Sequence, residues 1–75
     1  MIIIGKDKSI IIDSKHFCSY MVYDYETSVG VLALNAINEA STLLGEYPDM
    51  ETAKSALKDL SIALSDDTRI EYNMQ

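Results

Sequence analysis

Residues 29–47 read VGVLALNAINEASTLLGEY, and the fold turns on whether they form one helix or two strands. Val29, Leu32, Ala33, Ala36, Ile37, Ala40, Leu43 and Leu44 recur at helical spacing, which gives a single apolar stripe. Thr27 or Ser28 would cap such a helix, and Gly45 would end it. The competing reading has a strand over 29–37, a turn at Asn38-Glu39-Ala40 and a second strand over 41–47. Gly30, Asn35 and Asn38 weaken a helix only mildly. Periodicity favours the helix, and both readings stand at this point.

Downstream, residues 43–65 read LLGEYPDMETAKSALKDLSIALS. Pro48-Asp49 stops what precedes it and starts a helix, with Asp49 as N-cap and Glu51 well placed in the first turn. Met50, Ala53, Leu57, Leu60 and Leu64 form its apolar face, with Ala56 and Ala63 beside them. Asp66-Asp67 opposes the helix dipole and should fray that end. Ile62 lies across the wheel from Leu60 and is a candidate oligomer contact. Residues 68–72 alternate as a short strand would, and 73–75 are expected to be mobile.

Upstream, Ile2-Ile3-Ile4 and Ile10-Ile11-Ile12 flank Gly5-Lys6-Asp7-Lys8-Ser9. β-Branched triplets around a polar, Gly-containing connector read as a hairpin. Residues 16–26, HFCSYMVYDYE, read as a third strand. Phe17, Ser19, Met21, Tyr23 and Tyr25 fall on one face, taken as inward at its start; His16, Cys18, Tyr20, Val22, Asp24 and Glu26 fall on the other.

Seventy-five residues allow one small domain, marginal as a monomer, so self-association as a homodimer is open. Twelve acids against six bases give a formal charge of −6. Nucleic-acid binding needs a surplus of Lys and Arg, so direct contact with DNA or RNA is not expected. Lys6, Asp7 and Lys8 interrupt the apolar start too early for a secretory signal, and no window approaches a membrane span. A cytoplasmic location follows as an expectation, and the single cysteine, Cys18, agrees with it.

Chemistry-bearing constellations are sparse. His16 and Cys18, two apart on a strand, would share a face and could begin a zinc site, but structural zinc wants four ligands and the chain has one His and one Cys. Adjacent strand positions are a poor nucleophile–base pair. No phosphate loop or catalytic triad is evident, so neither enzyme activity, metal nor cofactor is expected. Tyr20, Tyr23 and Tyr25 with Asp24 and Glu26 are the candidate partner-binding residues, because tyrosine buries a large ring while keeping a polar tip.

The MIII, KDKS and III segments at the start, with LGEY and ETAKSALKDL later, resemble a loose group of small uncharacterised proteins of Firmicutes genomes, prophages and phages. The resemblance implies that Leu44, Gly45, Glu46 and Tyr47 end a strand, and that Ala53, Lys54 and Leu57 lie on the following helix. It thereby favours two strands over 29–47, and implies a mobile-element or phage origin with no transferable activity.

The expected fold is α+β: an antiparallel β-meander of about five strands packed against one C-terminal helix, in a single domain over 1–75. A sheet with a helical hairpin is the alternative. The expected core contains Ile3, Ile11, Phe17, Met21, Leu32, Leu34, Leu44, Ala53, Leu57, Leu60 and Leu64. The expected function is a non-enzymatic acidic protein-binding module, an anti-CRISPR-like phage or prophage inhibitor that docks on a basic host or defence protein. An oligomeric sponge for a nucleotide signal, using Lys6, Lys8, Lys15 and Arg69, and a structural subunit of a homo-oligomer are the other readings.

Overall fold

A computed structural model describes residues 1–75. The elements in order are β1 (Ile2–Ile4), β2 (Ile11–Asp13), a 3-10 turn (Ser14–His16), β3 (Phe17–Asp24), β4 (Val29–Asn35), β5 (Ser41–Tyr47), α1 (Met50–Leu64) and β6 (Glu71–Asn73). They build an α+β fold with two three-stranded sheets, ordered β2-β1-β6 and β3-β4-β5. The simple five-strand meander is therefore corrected. Only β3-β4-β5 meanders, and β1 pairs parallel with β6, which draws in residues beyond the helix.

Residues 29–47 are two strands. Asn35 supplies the reason: its Oδ1 accepts the amides of Ile37 and Asn38, and Asn38 Oδ1 accepts that of Ala40. These side chains satisfy backbone donors locally and so compete with helical bonds. Glu39 completes the turn at φ 59°. The turn begins two residues earlier than the sequence suggested, and Ile37, in the helical stripe, stands 91% exposed at its tip.

The helix matches its expected limits, with Asp49 Oδ1 accepting the Thr52 amide at 2.8 Å. Its buried line is Ala53, Ala56, Leu60 and Ala63, while Met50, Leu57 and Leu64 are half-buried. Two alanines of α1, Ala53 and Ala56, share one core with Val31, Ala33 and Leu44 of the sheet and with Ile3 and Tyr47, so small side chains let the helix lie close. Met74, expected to be mobile, is buried in that core, and its amide donates to the Ile4 carbonyl.

Register overturns the core assignments of Ile11, Met21 and Leu34 and puts Leu32, though buried, on the other face of its sheet. Ile3 pairs with Ile12, so Ile12 turns inward and Ile11 is 65% exposed. In β3, a bulge between Phe17 and Ser19 inserts one residue and reverses the alternation. Phe17 meets the core as expected, but beyond the bulge Tyr20 and Val22 point inward and Met21 does not. Leu32 and Leu34 lie on the face away from α1, since Val31 and Ala33 take the core side.

Candidate interaction surface

That second face of β3-β4-β5 is left uncovered by the helix. Strand pairing lays it out in three rows: Tyr23–Gly30–Glu46, Met21–Leu32–Leu43 and Ser19–Leu34–Ser41. Met21, Tyr23, Tyr25 and Leu43 are each between 39% and 50% exposed, so apolar surface runs continuously across the strands. Leu32, flanked by Met21 and Leu43, is buried between them.

Gly30 shapes the centre of this face. A Cβ there would lie 2.8 Å from both Tyr25 Cε2 and Leu43 Cδ1, so these side chains meet directly over its backbone. The Tyr23 ring packs on that of Tyr25 with centroids 4.8 Å apart and planes tilted by 56°. The hairpin that carries them is tight. The Tyr25 amide donates to the Ser28 carbonyl, and Asp24 Oδ1 accepts the Glu26 amide. Glu26 takes φ 76° at the first loop position, one that favours glycine. Ser28 Oγ donates to Glu46 Oε2 at 2.8 Å, which fixes a further carboxylate at the same end of the sheet.

Charge is segregated onto this part of the chain. Residues 17–53 contain Asp24, Glu26, Glu39, Glu46, Asp49 and Glu51 and no Lys or Arg. Six acids and six bases elsewhere cancel, so the whole formal charge of −6 belongs to the stretch that forms β3-β4-β5 and the start of α1. The apolar face is thus carried by a uniformly acidic segment.

Of the five expected partner-binding residues, Tyr23 and Tyr25 lie on this face. Asp24 and Glu26 lie at its hairpin end, exposed, with Asp24 on the side of Tyr20 and Val22. Tyr20 is corrected: the bulge turns its ring into the core, where its hydroxyl is buried without a partner. Burial, with Asp13 adding, pushes the Tyr20 phenol above its usual pKa. Gly30, Leu32, Leu43 and Glu46 also belong to the surface. The signals for them were the opposite parity of Leu43 and Leu44 and the base-free run of sequence.

His16 ends the 3-10 turn and Cys18 sits at the bulge, so they do not share a regular strand face. No three His, Cys, Asp or Glu side chains gather as a metal-ligating group. Ile62 is 62% exposed on the solvent side of α1. Two surface clefts exist. One, of about 320 Å³, is lined by Lys6, Tyr47, Thr52 and Asp59; the other, of about 450 Å³, by Asp7, Ser9 and residues of β5. Lys6 is the one base in either, and its Nζ is held by the Glu46 carbonyl and lies 4.4 Å from the Tyr47 ring centre. No helix is long and apolar enough to cross a membrane. Comparison with protein-family models, curated proteins and solved structures gave no match to the chain.

Proposed function

We propose that the chain is a non-enzymatic protein-binding module whose partner is a basic protein. The supporting observation is the coincidence of two properties: the apolar face of Met21, Tyr23, Tyr25 and Leu43 and the entire net negative charge lie on one segment. An apolar centre edged by one sign of charge gives both buried area and a selective approach to the opposite charge. With the resemblance to prophage and phage proteins, the reading becomes an inhibitor that covers a basic working surface of a host or defence protein in the cytoplasm.

The nucleotide-sponge reading has less support, because the four bases it would use are already engaged one by one. Lys6 meets Glu46 and Tyr47, Lys8 donates to Asn73, Lys15 pairs with Asp13, and Arg69 stacks near Tyr72.

The test is affinity capture from host extract with the wild-type chain, the Asp24→Lys/Glu26→Lys double variant and Ile62→Asp, at two salt concentrations. The expected result is a discrete basic protein retained by wild type and Ile62→Asp, lost from the double variant, and weakened by salt. A partner held equally by the charge-reversed variant removes this surface from the proposal.

A further inference from the structure

We propose that β3 takes up an extended, basic segment of the partner as an added strand along its free edge; this rests on the basic-partner reading and specifies its mode of contact. The sheet order leaves β3 at one edge and β5 at the other. The Tyr25-to-Ser28 hydrogen bond sets the phase of the β3–β4 ladder, so hydrogen-bonded pairs fall at Tyr23–Gly30, Met21–Leu32 and Ser19–Leu34. The N–H and C=O groups of Tyr20, Val22 and Asp24 consequently point away from β4.

The remaining edges are closed or short. β2 and β6 have three residues each. The edge of β5 is met at Leu44 by the Lys6 amide at 2.7 Å, and the strand is bulged there. By contrast β3 runs eight residues, FCSYMVYD, with neither Lys nor Pro. Charged side chains, proline and shortness are the usual guards against strand addition, and beyond its bulge this edge has only Asp24.

The flanking chemistry selects the occupant. A strand added here sets alternate side chains beside Met21 and Tyr23 on the apolar face. The others fall beside Tyr20 and Val22 on the core side and, at the hairpin end, beside Asp24, whose carboxylate accepts the Glu26 amide. Apolar residues fit the first row, and Lys or Arg fits the second at its acidic hairpin end. A second copy of this chain would bring two like-charged 17–53 segments together, which disfavours it. Backbone bonds would supply affinity and the alternating side chains specificity.

The test uses the full chain, labelled with nitrogen-15 at low ionic strength, and a capped octapeptide alternating Lys and Val. The expected result is shifted and exchange-protected amides at Tyr20, Val22 and Asp24. Two further probes carry N-methyl groups on all Val or on all Lys residues. Only the set whose N–H groups face β3 should bind worse, by at least about tenfold, since several backbone bonds are lost together. Equal binding by both methylated probes overturns strand addition but leaves docking on the acidic face intact. No binding at millimolar peptide also overturns it, and the basic-partner reading then stands or falls on the charge-reversal capture. Protection of the three amides that rises with protein concentration alone would assign the edge to a second copy and overturn the proposal.

Discussion

Val31 and Ile37 give opposite answers under the two readings of residues 29–47. A helix would bury Ile37 and leave Val31 off its apolar stripe. The strands do the reverse, with Val31 0% and Ile37 91% exposed. Val31→Ala removes two buried methyl groups at about 0.8 kcal/mol each, and a residual cavity raises the cost to about 2 kcal/mol. For a domain of this size that lowers the midpoint of thermal unfolding by roughly 8–16 °C. In urea, with a slope near ~1 kcal/mol per molar, the midpoint falls by about 2 M. Ile37→Ala removes atoms already in water and should stay within about 0.5 kcal/mol of wild type. Paired urea melts of the two variants, read by far-UV circular dichroism, decide it. A cost above about 1 kcal/mol at Ile37, with Val31→Ala neutral, would refute the two-strand account of this segment.

The remaining predictions use the same assays. Leu60→Ala, at the buried centre of α1, should cost about 2–5 kcal/mol, a large part of the ~4–11 expected for a chain of this length. Ile62→Asp, two residues along and across the helix in solvent, should leave both stability and sedimentation unchanged; a fall in mass would instead make Ile62 the oligomer contact its exposure permits. Glu26→Gly relieves a positive φ, and even after the entropy cost of glycine it should stabilise by up to ~1 kcal/mol; a loss of stability would mean the side chain contributes something its geometry does not reveal. Asp7, Asp13, Asp49 and Asp66 all have pKa values held below the usual 3.8, chiefly by local hydrogen bonds. The unfolded chain then binds more protons, so their contribution is full above that value and is lost as pH falls through the lower folded values. Urea midpoints measured from pH 6 down to pH 2.5 should decline mainly below pH 4, and a midpoint that rises over that interval would contradict the assignment.

What could be read from sequence followed how local the governing physics was. The α1 helix has its cap, its start and its apolar face within the sixteen consecutive residues Asp49 to Leu64, and all were legible. The first hairpin was legible as strands because β-branched triplets and polar turns are also local, whereas residues 29–47 matched helical spacing and became strands only through the Asn35 and Asn38 turn. Facing was not, because it depends on register between segments. One bulge at Cys18 sends Tyr20 inward and Met21 outward, and one pairing decides between Ile11 and Ile12. The parallel contact of β1 with β6 joins residues from opposite ends of the sequence, beyond the reach of any window. For the candidate surface, Tyr23 and Tyr25 were visible as a cluster. The contribution of Leu43 and Gly30 emerged only when β5 and β4 were placed beside them.

The seating of β1 between β2 and β6 has a kinetic corollary. One neighbour, β2, follows within a few residues, but the other, β6, lies beyond the helix and pairs only when a loop of about 70 residues closes. Ile3 therefore gains one neighbour, Ile12, by local pairing and the other, Tyr72, only by a long-range one. Closure of its sheet must be a late event, carrying the entropic cost of a very long loop. Damage confined to residues 71–74 should then act at a distance, slowing folding and loosening the opposite end of the sequence.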